Sequence, residues 1–426
     1  MIKIKKWLIM LTKNYPYDIG EEFIEDEILQ LSKEFERVVI IPTSVTKPEK
    51  QTRALPRNVT VFPIASKTIK KSVNLKAMIG FPFVGSSKYI DENDKNSINR
   101  SLKKRLYLSY FLAKAKIITK TCKKIIDIFF DGIECPDKVA IYSYWLHDTA
   151  FAAGELKRYM TEKLPTAKIS AISRAHGYDL YEYRKPRCYI PLRRWIMGNL
   201  DFIYPCSENG SSYLKEKYPE FADRIDTSYL GTQDTGLNPE RTDGKLHIVT
   251  CCYISPVKRM NLFAEALHDF SVRYKNSVKI SWTHIGAGEG LAELKQYAQE
   301  NLGIVDVNFL GNVKKDEIAG FYRDNHVSFI ANVSESEGLP VTLMEASSFG
   351  VPAIVTDVGG VSEIVLDGET GFLLPADFLQ GDLSAAIFRF ANMTEQEVGK
   401  MRKSTRENWE HNFCADKNYS EFASKI

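Results

Sequence analysis

Metal-binding and redox patterns are missing from this sequence of 426 residues. Its seven cysteines form no CxxC pair and its seven histidines form no HExxH spacing, so a zinc site has no support. No Asp-x-Asp occurs either, which excludes a metal–diphosphate clamp of that type. We therefore expect reduced, mostly buried thiols, no bound metal and no other cofactor.

A large charge imbalance and a long hydrophobic run are also missing. The chain has 57 Lys and Arg against 54 Asp and Glu, a net charge of +3, which does not indicate a nucleic-acid-binding protein. No apolar run approaches the roughly 18 residues of a membrane span. The apolar run at 7–11 follows several lysines, as in a signal peptide, but it is too short and Lys13 follows it. It predicts a first buried strand in a cytoplasmic protein.

What the sequence does contain is a regular alternation of short apolar runs and amphipathic helical patterns. The apolar runs, rich in β-branched and aromatic residues, lie at 7–11, 38–42, 59–63, 139–144, 168–173, 201–205, 246–252, 278–282, 307–310, 327–331, 352–355 and 371–374. Such alternation predicts parallel sheets that are covered by helices on both faces. The predicted fold class is α/β, with two Rossmann-like doubly wound domains that face each other across a cleft.

The domain boundary is predicted from composition. Residues 236–245 are rich in turn-forming and polar residues, which is typical of a linker. We expect a first domain over 1–237 and a second over 238–405. The remaining residues, 406–426, continue as helix, and such a tail often packs back on the first domain.

The segment 67–124 is strongly basic. It holds 15 Lys and Arg against three Asp and Glu, a local charge of +12, and apolar residues such as those at 78–85 interrupt the charges. This combination suits an anionic membrane surface, where each cation contributes about 1 kcal/mol. A peripheral position on the inner face of the cell membrane is the favoured interpretation, and a solvated helix face is the alternative. Nucleic acid is disfavoured because the chain shows no nucleic-acid-binding module.

The segment 334–346 is the most informative part of the chain. A buried strand runs out into a polar loop, and Pro340 marks the start of a helix because proline suits the first helical turn. The backbone N–H groups of Gly338, Leu339 and Val341 are then free at the mouth of the sheet, and such a helix N-terminus attracts phosphate. Gly338 also allows a ligand to approach the backbone closely.

Two carboxylates flank this turn, Glu337 on the loop and Glu345 about two turns into the helix. Carboxylates beside a phosphate site would repel the phosphate, so they are expected to accept hydrogen bonds from sugar hydroxyls. One of them can bind a transferred sugar and the other a ribose. An exposed helix position is the alternative for Glu345, but its neighbours are apolar.

Lys258 and Arg259 lie in a second turn between a strand and a helix. Two cations at a helix N-terminus are unfavourable for the helix dipole unless an anion is present. A diphosphate would supply that anion, with arginine binding as a fork and lysine as a point charge. A solvated basic turn is the alternative.

Several motifs together resemble one known family. The chain has ISPVKR (254–259), HIGAGEG (284–290), FLGNV (309–313), the run from Ser334 to Gly360, and RAHGYDLY (174–181). As a set they are similar to the retaining GT-B glycosyltransferases of family 4, whose E-x7-E motif matches the Glu337 and Glu345 pair. The resemblance covers almost all of the second domain and reaches the first through His176.

This resemblance implies a role for each matching residue. Glu337 would hold hydroxyls of the donor sugar, Glu345 the ribose, and Lys258, helped by Arg259, the diphosphate leaving group. His176, in the first domain, would contact the donor sugar near the reacting carbon. The remaining donor-binding positions are backbone groups that would contact the sugar, the phosphates or the nucleoside: Gly20, Gly286, Val313, Gly338, Leu339 and Val341.

The implied reaction moves a sugar from a nucleotide diphosphate, UDP by family habit, to a hydroxyl of a saccharide acceptor, with retention of configuration and without a metal. The basic first domain favours a lipid-linked acceptor in bacterial surface polysaccharide synthesis. The sequence departs from the family at Tyr253, where an arginine is frequent, and in the first loop, where Gly20 replaces a glycine pair.

Three other functions stay open at this point. A nucleotide-sugar 2-epimerase shares the fold but needs additional acid and base carboxylates. A nicotinamide oxidoreductase is disfavoured because no acidic ribose ligand is evident about 20 residues beyond GAGEG. A non-catalytic sugar-binding scaffold would not need both glutamates and Lys258.

Overall fold

A computed structural model describes residues 4–185, 187–240, 244–274 and 278–426, without the side chain of Lys71. The chain divides into two compact units. The first comprises residues 1–228 and 419–426, and the second comprises residues 229–418. Three residues of the predicted linker, 241–243, lie outside the described residues.

The first unit is built on a six-stranded parallel sheet. Its strands are β1 (Lys6–Thr12), β2 (Arg37–Pro42), β3 (Val59–Val61), β4 (Lys138–Ser143), β5 (Lys168–Ala175) and β6 (Phe202–Pro205). They are ordered β3-β2-β1-β4-β5-β6, the order of a doubly wound sheet whose direction of winding reverses between β1 and β4. Ligands bind such sheets beyond the carboxyl ends of the strands at this reversal.

Helices cover both faces of the first sheet. They are α1 (Ile24–Glu34), α2 (Ser66–Gly80), α3 (Glu92–Asn99), α4 (Leu102–Phe129), α5 (Asp148–Lys163), α6 (Gly177–Leu180), α7 (Arg193–Gly198) and α8 (Glu208–Lys217). One face packs mainly under α4 and α5 through residues such as Ile118 and Phe151, and the other packs under α1. The sequence predicts helices near 20–34, 101–130 and 148–161, which correspond to α1, α4 and α5, but it does not predict α2.

The second unit repeats the architecture. Its strands are β7 (Leu246–Cys251), β8 (Ile280–Ile285), β9 (Asp306–Gly311), β10 (Phe329–Asn332), β11 (Ala353–Thr356) and β12 (Gly371–Leu374). They are all parallel, in the order β12-β11-β10-β7-β8-β9, so the reversal falls between β7 and β10. All twelve strands were expected from the apolar runs, and the α/β class with two doubly wound sheets is confirmed.

The helices of the second unit follow its strands in regular alternation. They are α9 (Met260–Arg273), α10 (Leu291–Asn301), α11 (Lys315–Asp324), α12 (Val341–Ser348), α13 (Val361–Ile364), α14 (Gln380–Ala391) and α15 (Glu395–Asn412). The last helix, α16 (Ala415–Lys425), ends in the first unit, where Phe422 lies in the apolar core beside Tyr142. Within the described residues, no helix is both long and apolar enough to cross a membrane.

The chain leaves the first unit before the expected boundary at residue 237 and returns to it after the expected residue 406. Hydrogen bonds explain the position of both changes. The N–H of Thr232 donates to the carbonyl of Phe413 at 2.9 Å, and the N–H of Ala415 donates to the carbonyl of Thr232 at 3.0 Å. These bonds attach the segment after Ser228 to the end of α15, inside the second unit.

Candidate active site

Lys258 and Glu337 form an ion pair at the winding reversal of the second sheet. Lys258 ends a short 3-10 turn (Pro256–Lys258) that follows β7, and Glu337 lies in the loop between β10 and α12. The Lys258 Nζ is 2.6 Å from the Glu337 Oε1. Only 11% of the Glu337 side chain and 23% of the Lys258 side chain are exposed. The two loops are also joined by the N–H of Glu335, which donates to the carbonyl of Val257 at 2.8 Å.

Asn332, the last residue of β10, fixes the Glu337 carboxylate from the other side. Its amide nitrogen donates to the same Oε1 at 3.1 Å. The Asn332 Oδ1 accepts from the N–H of Ser334 at 3.1 Å and from its hydroxyl at 2.6 Å, which fixes the amide orientation. Sequence reasoning missed Asn332. Its position directly after a buried strand, five residues before Glu337, was the available signal.

Arg259 is adjacent to Lys258 in the chain but serves the protein backbone. Its guanidinium donates to the carbonyl of Val333 at 2.6 Å, to that of Ala376 at 2.7 Å and to that of Ser334 at 3.1 Å. Burial also lowers the pKa of Arg259. These contacts connect the ends of β10 and β12 to the start of α9. The role of Arg259 as a phosphate ligand therefore stays a prediction, and the structure gives the residue a bracing function.

The N-terminus of α12 lies next to this pair. Pro340 precedes the first helical residue, Val341, and the first N–H groups of an α-helix have no partner within the helix. The carbonyl of Gly338 accepts the N–H of Gly360 at 2.8 Å, which fixes the loop that carries Gly338 and Leu339. Leu339 is 7% exposed, so its side chain anchors the loop.

Glu345 is half-buried in the middle of α12. Its charge contributes to raising the pKa of the Cys251 thiol, after the larger effect of burial, so Glu345 lies near the end of β7. Both predicted carboxylates, Glu337 and Glu345, therefore lie at the same edge of the second sheet.

Gly286 and Gly288 belong to a loop that packs closely on the turn after β7. The N–H of Ile254 donates to the carbonyl of Ala287 at 2.8 Å, and the N–H of Gly286 donates to that of Gly311 at 2.8 Å. A Cβ at Gly286, whose φ is +136°, would lie 2.0 Å from the carbonyl oxygen of Cys252. The GAGEG glycines thus allow two loops to touch. Val313 lies half-buried just after β9, two residues beyond Gly311.

His176 belongs to the first unit and follows β5. Its ring stacks on Tyr144 at 4.8 Å and lies 4.8 Å from the ring of Trp145. It is 8% exposed, and among the described residues neither ring nitrogen has a hydrogen-bond partner. Burial, with the nearby charges of Arg174 and Lys13, holds the pKa of His176 well below its ordinary value. The imidazole is therefore neutral, with two unused ring nitrogens.

Gly20 lies in the long loop after β1 and has a φ of +102°, with nothing near its missing Cβ. The following residue, Glu21, is 4% exposed and accepts the N–H groups of Lys13, Asn14 and Tyr15 at 2.7 to 3.0 Å. The Trp145 indole also donates to Glu21. The sequence did not single out Glu21, because its partners are defined by the folded conformation of the loop.

Within the described part of the chain, no cluster of three or more His, Cys, Asp or Glu residues has the arrangement of a metal site.

The comparisons with known proteins agree with the geometry of the second unit. Residues 239–411 match the sequence model of the family described as Glycosyl transferases group 1. This range includes all six strands of the second sheet, and the chain therefore contains a glycosyltransferase group 1 domain of the GT-B type.

The relatives with similar sequences include two proteins that are named glycosyltransferases. The chain is 24% identical over 249 residues to the putative colanic acid biosynthesis glycosyltransferase WcaL of Escherichia coli, covering 56% of this chain and 59% of that protein. It is 26% identical to an uncharacterized glycosyltransferase of Methanocaldococcus jannaschii, covering 78% of this chain and 84% of that protein. The alignment with WcaL thus spans less than two thirds of its length.

A solved structure has the same fold over nearly the whole chain. HepE from Anabaena, in complex with UDP, superposes with a TM-score of 0.61 at 14% identity, covering 99% of each chain. At this identity the likeness shows the fold alone. With two parallel six-stranded sheets, the chain has a two-domain Rossmann-like GT-B fold.

Proposed function

We propose that the protein is a retaining glycosyltransferase of family 4. It would transfer a sugar from a nucleotide-diphosphate donor to a hydroxyl of a saccharide acceptor. The observation that carries this proposal is the Lys258 and Glu337 pair, fixed by Asn332 at the N-terminus of α12. This arrangement offers a cation and helix N–H groups to phosphate, and a carboxylate to sugar hydroxyls.

Lys258 and the N-terminus of α12 would stabilise the leaving group. Negative charge develops on the phosphate oxygen as the glycosidic bond breaks, and fixed donors around that oxygen lower the barrier most. Without a donor, the charge of Lys258 is balanced by Glu337. When the diphosphate binds, Lys258 would turn toward it, and Glu337 would become available to the sugar hydroxyls. No metal is required in this scheme.

The nucleotide would be bound by Glu345 and by the loops after β8 and β9. A ribose presents two hydroxyl donors, which match a half-buried carboxylate. UDP is the favoured nucleotide, supported by family habit and by the UDP complex of HepE. The absence of a side chain at Gly286 lets this loop pack directly on the turn after β7. A nucleoside could then lie against this loop and against the loop that contains Val313.

The reaction would be a front-face displacement. The acceptor oxygen forms a bond to the anomeric carbon on the face from which the phosphate departs, and the departing phosphate oxygen takes the acceptor proton. His176 would hold the donor sugar through one of its unused ring nitrogens. Its low pKa keeps it neutral, so it can both donate and accept a hydrogen bond.

The acceptor would be lipid-linked, as in bacterial surface polysaccharide synthesis. The name of WcaL supports polysaccharide synthesis. The basic segment supports a membrane surface, because its exposed apolar residues gather where α2 ends and α4 begins. The Arg105 guanidinium donates to the carbonyl of Pro82 at 2.9 Å and lies over the Phe81 ring, which joins these two ends. The exposed apolar side chains there are Leu75, Met78, Ile79, Phe83, Leu102 and Leu106.

A thermal-shift screen of UDP-, GDP- and ADP-sugars tests the proposal. A donor present at 100 times its dissociation constant stabilises the folded protein by about 2.7 kcal/mol. We expect one nucleotide class to raise the melting temperature and Glu345→Ala to reduce that shift. Glu293→Ala, an exposed glutamate on α10, is the matched control. If no nucleotide sugar shifts the parent protein, the proposed function is wrong.

A further inference from the structure

Two lysine ammonium groups lie against one aromatic ring in the first unit. The Lys13 Nζ is 4.2 Å from the ring centroid of Tyr178, and the Lys185 Nζ is 3.4 Å from the same centroid. The Lys13 Nζ also lies 4.4 Å from the Trp145 centroid. Because both lysines meet the Tyr178 ring, their nitrogens are separated by no more than the sum of those two distances. Like charges this close repel each other.

Neither ammonium group is paired with a carboxylate among the residues that the structure describes. Two acids are nearby, but both are used by other groups. Asp179 accepts the N–H of Leu146 at 2.5 Å and that of His176 at 2.6 Å. Glu21 accepts N–H groups of the loop after β1. The excess positive charge of the lysine pair is therefore not cancelled by direct contact within the first unit.

The environment of Lys185 also disfavours its charge. The pKa of Lys185 is lowered to about 8, mainly by burial; the charge of Asp179 opposes this shift, and the charges of Lys13 and Arg193 add to it. A half-buried cation without a carboxylate partner is costly, and an anion bound by the two lysines would offset that cost.

A second, independent feature of the same place points to a ligand. His176 is 8% exposed and lies 4.8 Å from the Trp145 ring, yet neither ring nitrogen has a partner among the described residues. A buried polar group left without a hydrogen bond is destabilising, because it has lost its bonds to water. A hydroxyl of the donor sugar would satisfy one ring nitrogen, and a hydroxyl of a ligand bound at the lysine pair would satisfy the other.

The position in the fold is also that of a binding site. Lys13 follows β1, and Trp145 follows β4. These two strands are neighbours at the winding reversal of the first sheet, where doubly wound folds bind ligands.

We propose that Lys13 and Lys185 bind the oxyanion of a phosphorylated saccharide acceptor. Tyr178 and Trp145 hold the two lysines in place, and His176 contacts a hydroxyl of the sugar substrates. A phosphate fits better than a carboxylate because two ammonium groups match its two negative charges. This inference rests on the proposed function for the identity of the ligand as an acceptor, but the anion site itself can be tested separately.

Lysine acetylation followed by peptide mass spectrometry is the direct test. The full chain, saturated with UDP, is acetylated at pH 8 with and without glucose 1-phosphate. We expect glucose 1-phosphate to slow acetylation of Lys13 and Lys185 several-fold and glucose to have no effect. Lys88 and Lys116 are the internal control, because both are exposed and lie 5.2 and 5.3 Å from one ring, that of Tyr89. Their rates should not change.

Variants and a second probe separate the possible outcomes. Lys185→Gln should remove the protection of Lys13, whereas Lys88→Gln should preserve it. Protection by glucuronic acid instead of glucose 1-phosphate would support the anion site and make the ligand a carboxylate. If Lys13 and Lys185 are acetylated at the same rate with and without every anion tested, the proposed anion site is wrong. If UDP-glucuronic acid, added to protein without UDP, were the only compound that protects Lys13 and Lys185 from acetylation, the site would bind the donor and the assignment to the acceptor would be wrong.

The two proposals fail in different ways. If nucleotide sugars bind and turn over but no anion protects the lysines, only the acceptor site is wrong. If glucose 1-phosphate protects the lysines but no nucleotide sugar binds, the anion site stands and the proposed transferase activity is wrong.

Discussion

Glu337 depends on a neighbour that the E-x7-E pattern does not contain. Asn332 and Lys258 both donate to the same carboxylate oxygen, which leaves the orientation of Glu337 determined before any ligand binds. Fixed orientation matters because small displacements of a positioning group are costly in catalysis.

We predict that Asn332→Ala lowers kcat about tenfold, equivalent to roughly 1.4 kcal/mol of transition-state stabilisation, with little effect on the KM for the donor. The physical reason is that Asn332 fixes the carboxylate of Glu337, which we propose binds the sugar, whereas the proposed nucleotide contacts come from other residues. Steady-state kinetics measure the split. Asn392→Ala, an exposed residue at the end of α14, is the control. A rise in KM at constant kcat would contradict a positioning role.

Sequence reasoning at this scale predicts site residues from local pattern, and it missed the contacts that are defined by tertiary structure. Glu337, Glu345 and Lys258 follow from strand, turn and helix patterns. The carbonyl groups that Arg259 binds come from segments 74 to 117 positions away in the chain, so no local pattern could reveal its bracing function. The lysine pair on Tyr178 likewise joins three separate segments.

The loops after β7 and β8 behave as one structural element. Gly286 is required there because its φ of +136° and the Cys252 carbonyl exclude a side chain. Backbone conformations of this kind cost a non-glycine residue about 1–3 kcal/mol before any overlap is counted.

We therefore predict that Gly286→Ala lowers the melting temperature and weakens UDP binding, because the turn carrying Lys258 must move away. Gly303→Ala, where no atom lies within 4 Å of the added Cβ, should change neither. Thermal unfolding and isothermal titration with UDP measure both effects. Unchanged UDP affinity in Gly286→Ala would separate this loop from the donor site.

The strands were predictable because a parallel sheet buried on both faces needs continuous apolar runs. The unit boundaries were harder to predict, since the bonds of Thr232 to Phe413 and Ala415 join residues far apart in the chain. The helix α2 was missed because its buried residues, Ile69 and Val73, are interspersed with exposed apolar residues such as Met78 and Ile79, which hides the core-facing stripe in the sequence.

At the scale of the whole molecule, buried neutral histidines link stability to pH. Burial lowers the pKa of His284 to about 4. Between this pKa and the ordinary histidine pKa of 6.5, the folded state binds fewer protons than the unfolded chain. The contribution of His284 to the free energy of unfolding is therefore present above pH 6.5 and is lost as the pH falls toward 4. The loss is at most about 1.4 kcal/mol per pH unit for this group.

We predict that His284→Gln reduces the fall in melting temperature between pH 7.5 and pH 5.5. Comparison with the parent protein is needed because Asp94, whose pKa burial raises to about 6, contributes with the opposite sign. Thermal unfolding at several pH values measures the difference. Identical pH profiles for the two proteins would contradict the assignment.

The first unit should bind anionic vesicles through its basic segment. Replacing Met78, Phe83 and Leu102 by serine should weaken binding at every salt concentration, whereas Lys103→Gln with Lys104→Gln should weaken it mainly at low salt, because screening acts over about 8 Å at physiological ionic strength. Vesicle sedimentation measures both. Ile304→Ser, which changes an apolar residue of the second unit that is 66% exposed, is the control. Equal binding by all variants would leave the segment a solvated helix face.

The central claim is that Lys258 and the N-terminus of α12 release a nucleoside diphosphate without a metal. The most direct measurement is the rate of nucleoside diphosphate release from the donor identified by the thermal-shift screen, in the presence of EDTA. We predict that the parent protein and Lys400→Gln, which changes an exposed lysine of α15, release it at the same rate. Lys258→Gln should be at least about 100-fold slower, a loss of roughly 2.7 kcal/mol. Activity that disappears in EDTA and returns with Mn²⁺, or a Lys258→Gln rate within about twofold of the parent rate, would contradict the account.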